Sequence, residues 1–126
     1  MSRHVLRLAL VGAALIHLLP LPGLLGGPGL QSLYGLPPLD PAGELLLRHR
    51  ALMFALDAAL LLWAVRAPAL RLPAILLTLA SDIGFLLLGV GGLPPGLLRV
   101  ALFDAVSILL LVTAATCLRP VPKAHD

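Results

Sequence analysis

Three aspartates stand inside long apolar stretches of this 126-residue chain. They are Asp57, Asp82 and Asp104, half of the six acidic residues in the sequence. An ionisable side chain at the centre of a bilayer costs about 2.5–3.5 kcal/mol on insertion scales, so such residues usually pair with one another or line a pathway for ions, protons or ligands. Asp57, Asp82 and Asp104 are therefore the first candidates for functional residues.

Basic residues and histidines stand near the ends of the same stretches. His17 ends the first stretch, Arg48, His49 and Arg50 begin the second, and Arg99 begins the fourth. If the stretches are antiparallel helices, all five fall at one end of the molecule. At helical rise, Asp104 lies roughly 7–8 Å deeper than Arg99. We therefore expect a polar pocket with a basic rim and an acidic floor, built from His17, Arg48, His49, Arg50, Asp57, Asp82, Arg99 and Asp104.

The same residues have a purely structural interpretation. Arg50 and Asp57 are seven residues apart and share a helix face, so they, or Arg99 with Asp104, could form internal ion pairs that only fix helix register. Separately, the i, i+4 spacing of Glu44 and Arg48 predicts a surface pair.

His17 and His49 raise two further alternatives. A helix-end histidine usually hydrogen-bonds a carbonyl or a lipid headgroup. Ligation of a haem by two histidines needs opposing helices, whereas His17 and His49 lie at the same level on neighbouring segments. A metal site formed by these histidines and an aspartate is equally weakly supported. No nucleophile–base spacing supports His49 as the general base of an enzyme. We expect no cofactor, no metal and no catalytic residue.

The composition indicates a membrane protein. Hydrophobic residues make up 60% of the chain and charged residues 12%, with a mean hydropathy of +1.04. Soluble domains carry about 25% charged residues. The single cysteine, Cys117, excludes a disulfide within the chain. The basic residues are dispersed near segment ends, so we expect no nucleic-acid partner.

Proline and glycine divide the chain into four apolar segments, each near the ~20 residues needed to cross a bilayer. Because only helices satisfy their backbone groups in lipid, we predict an all-α, up-down four-helix membrane bundle in one domain, 1–126. Its helices cover about 5–22, 41–66, 70–90 and 95–118. Asp40 followed by Pro41 is typical of a helix start. The connection 20–40 is predicted to be a loop.

The positive-inside rule orients the bundle. Six basic residues belong to the terminal and middle-loop side: Arg3, Arg7, Arg66, Arg71, Arg119 and Lys123. Three belong to the other side. Both termini are therefore expected in the cytoplasm of a multi-pass protein. No small-x-small cleavage site follows the first segment, so we expect it to be retained.

Pairs of small residues four apart favour close helix packing. They are Ala9 and Ala13, Ala51 and Ala55, Ala80 and Gly84, and Ala101 and Ala105.

Several segments together resemble a group of short bacterial inner-membrane proteins. They are 17–23 (HLLPLPG), 33–36 (LYGL), 45–54 (LLLRHRALMF), 81–88 (SDIGFLLL), the double glycine 91–92 and 99–104 (RVALFD). That group has four expected spans and no established activity, and its members often carry the label phosphopantetheine adenylyltransferase. It is more distantly similar to DoxX-like membrane proteins.

The adenylyltransferase label does not fit this chain. Such enzymes are soluble α/β proteins with a histidine-containing phosphate motif after the first strand, and here there is no H-x-G-H and no Gly-rich phosphate loop. The resemblance implies only a shared site or shared packing at Arg48, His49, Arg50, Arg99 and Asp104.

Two functions remain open from the sequence. The first is an outward-facing pocket that binds an anionic or amphipathic small molecule, such as a lipid headgroup or a quinone, in the bacterial inner membrane. The second is a structural or accessory subunit whose ion pairs only stabilise the bundle, within a homo-oligomer or a larger membrane complex.

Overall fold

The computed structural model describes residues 2–118, and every regular element in that range is helical. Five α-helices follow one another: α1 (Ser2–Leu18), α2 (Gly27–Tyr34), α3 (Pro41–Arg66), α4 (Arg71–Leu88) and α5 (Leu98–Thr116). Short 3₁₀ turns, Leu21–Leu25, Pro68–Leu70 and Pro95–Leu97, lie in three of the connections. Arg119 and Lys123, which contributed to the predicted orientation, lie outside the described residues.

Three segments are long and apolar enough to span a membrane: Ser2–Leu25, Pro68–Leu88 and Pro95–Thr116. Helix α3 is longer, with 26 residues, but it carries five charged side chains: Glu44, Arg48, Arg50, Asp57 and Arg66. Charge therefore sets α3 apart from the other three long helices.

The four long helices pack around a narrow core of small and aliphatic side chains. Helix α1 packs along α3 and α5, and α4 packs along the same two helices, so α1 and α4 lie on opposite sides. Leu10, Ala13, Leu61, Ile75 and Leu111 are fully buried between them. Large apolar side chains cover much of the outside, among them Leu8, Leu88 and Leu109. An apolar surface of this extent is typical of contact with lipid or a partner.

Helix α2 lies within the connection that the sequence predicted to be a loop. Pro28 stands in its first turn, and it ends at Gly35, whose φ of 61° is the left-handed conformation that glycine adopts readily. Leu30 and Tyr34 are buried, and α2 contacts α3. With only eight residues, α2 is too short for the spacing of its apolar residues to show a helical periodicity that would have distinguished it from a loop.

Side chains fix both ends of α3. Asp40 accepts a hydrogen bond from the Gly43 amide at 2.6 Å, which confirms the predicted helix start. At the other end, Arg71 donates to the Ala64 carbonyl at 3.2 Å. Arg71, which was predicted only to contribute to the orientation of the bundle, therefore also closes the turn between α3 and α4.

Two expectations about helix extent and packing differ from the structure. Helix α1 ends at Leu18, since Pro20 has no amide hydrogen to continue the ladder. On α4, the expected contact pair Ala80 and Gly84 does not pack: Ala80 is exposed, and Gly84 has no neighbour within 4 Å of a built Cβ. The buried face of α4 instead consists of two apolar residues, Ala74 and Ile75, followed by two polar ones, Thr78 and Asp82.

Gly96 offers a test of how the end of α2 packs against the Pro95–Leu97 turn that precedes α5. A Cβ at this position would collide with the backbone oxygen of Tyr34, whereas one at Gly91 would meet nothing within 4 Å. We expect Gly96→Ala to lower the free energy of unfolding by about 1–3 kcal/mol. Gly91→Ala, the matched control, should change it by less than about 0.5 kcal/mol. Denaturant titration in detergent micelles measures both, and equal effects would show that the end of α2 does not rest on the Pro95–Leu97 turn.

Candidate functional site

A histidine–aspartate hydrogen bond crosses the interior of the molecule. His17 Nε2 on α1 lies 3.0 Å from Asp82 Oδ1 on α4, and both side chains are fully buried. The other ring nitrogen, Nδ1, lies 2.9 Å from the Ala13 carbonyl oxygen one turn earlier. His17 therefore makes the helix-end carbonyl bond that its position predicted, and a second bond that the sequence did not predict.

The two bonds together require a proton between His17 and Asp82. A carbonyl oxygen only accepts, so Nδ1 must carry a hydrogen and donate it to Ala13. A neutral imidazole would then present a bare Nε2 to the carboxylate. The 3.0 Å contact is a hydrogen bond only if Nε2 or Asp82 holds a second proton. In either arrangement the pair is neutral overall.

Arg50 of α3 is held between two aromatic rings. Its guanidinium carbon lies 4.9 Å from the centre of the Phe54 ring and 4.4 Å from that of Phe85. Both distances lie within the range of a cation–π interaction. Phe54 also meets the His17 ring edge-on at 5.5 Å. The aromatic rings therefore fix the position of Arg50 and join it to the histidine.

Asp57 and Asp104 complete this interior cluster. Asp104 is 4% exposed and lies within electrostatic range of Asp82, Arg50 and His17. Asp57 is half-buried, and its electrostatic neighbours are His17 and Asp82. The structure thus brings together five of the eight predicted residues: His17, Arg50, Asp57, Asp82 and Asp104.

The ion pairs that helical spacing predicted are not formed. Among residues 2–118, His17–Asp82 is the one pair with salt-bridge geometry. The Arg50 guanidinium lies over the two aromatic rings instead of pairing with Asp57. Arg99 and Asp104 are five residues apart, a spacing that places them on different faces of α5.

The remaining three predicted residues lie outside the cluster. Arg48 and His49 are exposed, and Arg99 is exposed at the edge of a cavity. The expected pair of Glu44 with Arg48 has no salt bridge either, within the described range. Arg48 and His49 point away from the cluster because, of three consecutive residues on a helix, only one can face the interior of the bundle.

A cavity of about 240 Å³ adjoins the cluster. Helices α1, α2, α3 and α5 enclose it, and its walls are mostly apolar, with Ile16, Leu33, Phe54, Val100 and Phe103 among them. The polar side chains on its lining are His17, Ser32, Tyr34, Arg99 and Asp104.

Tyr34 is a functional candidate that the sequence did not identify. It is 3% exposed, and its hydroxyl has no protein hydrogen-bond partner. Burial raises the pKa of the phenol, with the charge of Arg50 opposing this, so Tyr34 is a neutral donor at physiological pH. Tyr34 stands in a segment predicted to be a loop, so the sequence pattern gave no indication that it lines the same cavity as Asp104.

No arrangement of three or more histidine, cysteine, aspartate or glutamate side chains suited to a metal ion occurs within residues 2–118. Comparison of the chain with protein-family models, curated proteins and solved structures gives no match.

The His17–Asp82 bond predicts strong coupling between two substitutions. His17→Leu alone leaves an uncompensated carboxylate in the core and should destabilise the protein by about 3–5 kcal/mol. Adding Asp82→Leu should restore most of that loss, because an apolar pair of similar volume replaces the polar one. A double-mutant cycle from unfolding in detergent measures the coupling. Additive effects would show that the two side chains do not act as a pair.

Proposed function

We propose that this protein binds an amphipathic small molecule of quinone-like chemistry in the cavity between α1, α2, α3 and α5. The observation that carries the proposal is the pairing of an apolar cavity with two buried, unpartnered polar atoms on its lining residues, the Tyr34 hydroxyl and Asp104 Oδ2. Small-molecule sites typically combine apolar walls with a few polar groups that fix orientation.

The membrane arrangement is part of this proposal. Helices α1, α3, α4 and α5 would cross the bacterial inner membrane as an up-down bundle with both termini in the cytoplasm. Three apolar segments and the apolar outer surface support it. Helix α3, about 39 Å long at helical rise, is long enough to cross as well. Its mid-helix charges, Arg50 and Asp57, are both partly withdrawn from the surface.

The size and chemistry of the cavity favour one ring and a polar head. A volume of about 240 Å³ is small for a whole drug-sized ligand, so a tail would extend past the walls into lipid. Tyr34 would donate a hydrogen bond to a carbonyl oxygen of the ring, and Asp104 would accept one from a hydroxyl when the ring is reduced. Arg99, exposed at the edge, would attract a negatively charged group.

The same lining is also compatible with a phospholipid headgroup, in which Arg99 would be the main contact. A lipid phosphate needs several donors, but Arg99 is the sole arginine or lysine on the cavity lining, within residues 2–118. This favours the neutral, ring-shaped ligand. The resemblance to short bacterial inner-membrane proteins stays a proposal with no activity attached.

A structural or accessory role is the second candidate. The His17–Asp82 bond supports it, since a buried pair between α1 and α4 serves helix register without any ligand. In that case the cavity would have no occupant of its own.

Filling the cavity separates the two candidates. Val100 lines the cavity, and Val112 is 48% exposed on the same helix. We expect a short-tailed benzoquinone to bind the wild type and Val112→Trp equally and to bind Val100→Trp at least tenfold more weakly. Tyr34→Phe should weaken binding by about 1 kcal/mol, the usual net value of one hydrogen bond.

Calorimetric titration in detergent measures these affinities, with phosphatidylglycerol titrated in parallel to detect headgroup binding. If neither molecule binds the wild type, the structural role is the better description. If Val100→Trp binds the quinone as tightly as Val112→Trp does, the cavity is not the site.

A further inference from the structure

Four buried oxygen-bearing side chains lie on α4 and α5, two helices that pack together. Thr78 and Asp82 are four residues apart on α4, and Asp104 and Ser107 are three apart on α5, so each pair shares one helix face. The two helices pack together, and each of the four side chains is at least 96% buried. We call these residues the α4–α5 oxygen cluster.

Each member of the α4–α5 oxygen cluster has an atom without a protein hydrogen-bond partner. These atoms are Thr78 Oγ1, Asp82 Oδ2, Asp104 Oδ2 and Ser107 Oγ. Buried polar atoms are nearly always partnered, and leaving one unpartnered costs about 1–3 kcal/mol. Four of them on two helices that pack together point to a shared partner that is not a protein group.

Other hydroxyls in this chain show that an ordinary partner was available. Thr113 donates to the Leu109 carbonyl and Thr116 to the Thr113 carbonyl, both at 2.8 Å along α5 itself. Thr78 and Ser107 make no such bond. Their oxygens are therefore free to accept from, or coordinate, a group placed between the helices.

The charges around the α4–α5 oxygen cluster indicate the sign of that group. Three carboxylates, Asp57, Asp82 and Asp104, face two basic groups, Arg50 and His17 in its protonated form. With all three carboxylates ionised, the sum is one negative charge, carried mainly by the buried Asp82 and Asp104, whereas Asp57 and Arg50 are partly exposed. A buried net charge is unfavourable, so either a bound cation or a proton on a carboxylate must offset it.

We infer that the α4–α5 oxygen cluster binds a monovalent metal cation, Na⁺, through the carboxylates of Asp82 and Asp104 and the hydroxyls of Thr78 and Ser107. Carboxylate and hydroxyl oxygens are the donors that a hard cation prefers. A divalent ion would reverse the excess charge, and Ca²⁺ takes 6–8 oxygens. The inference shares Asp104 with the quinone proposal and otherwise rests on Thr78, Asp82 and Ser107, which do not line the cavity.

Thermal unfolding in detergent tests the inference. We expect the Tm of the wild type to be several degrees higher in NaCl than in N-methyl-glucamine chloride at equal ionic strength. Thr78→Val and Ser107→Ala should each raise the Na⁺ concentration needed for half of that shift at least tenfold. Thr113→Val, whose hydroxyl already bonds to its own helix, is the matched control and should respond as the wild type does.

Two measurements guard against a variant that fails to fold. Direct binding of radioactive ²²Na⁺ to the wild type should saturate at one ion per chain, and both hydroxyl variants should be examined for helix content first. Val100→Trp should keep the Na⁺ response, so loss of quinone binding and loss of Na⁺ binding are separable. An equal Tm in both salts, or a full Na⁺ response in Thr78→Val and Ser107→Ala, would overturn the inference and assign the extra charge to a proton.

Discussion

The interior of this protein is organised by the bond between His17 and Asp82. Helices α1 and α4 lie on opposite sides of the molecule, with α3 and α5 between them, so the bond must pass through the core. A carboxylate in an apolar interior needs a partner, and an imidazole already donating to its own helix can supply the proton. This constraint fixes how α1 and α4 are rotated about their axes, and the rotation of α4 then brings Thr78 to the same buried face as Asp82.

The aromatic side chains extend this arrangement to α3. The Phe54 ring meets the His17 ring edge-on, and the Arg50 guanidinium lies over both Phe54 and Phe85 of α4. A positive charge can therefore stay near the acidic residues without a direct carboxylate contact. Such a contact would neutralise Asp57 or Asp104 locally. Within residues 2–118 no arginine forms a salt bridge with Asp104. The Asp104 carboxylate, which lines the cavity, can therefore contact a group in the cavity or a group between α4 and α5.

The sequence predicted the class of structure and the membership of the polar region better than its internal pairing. Aspartates within apolar segments and a histidine at a segment end predicted a shared polar interior, because few arrangements tolerate such residues in lipid. Spacing along one helix then suggested Arg50 with Asp57 and Arg99 with Asp104. The bond that forms, however, joins residues 65 positions apart, and helix order and rotation, which determine such contacts, are not encoded in the period of a single segment. Helix α2 and its Tyr34 were missed for a related reason, since eight residues between proline and glycine carry too little pattern.

The unpartnered oxygens bear on whether the polar interior serves only to stabilise the bundle. A purely structural cluster is most stable when every donor and acceptor within it is satisfied. Here the His17–Asp82 bond satisfies one oxygen of Asp82 and leaves the other free, and Tyr34 and Asp104 each present a free oxygen on residues that line the cavity. Selection for stability alone would favour apolar residues at Thr78 and Ser107, whose hydroxyls add nothing to packing that a methyl group would not. An occupant of the cavity or of the space between α4 and α5, as proposed above, would give these oxygens the partners that the protein does not supply.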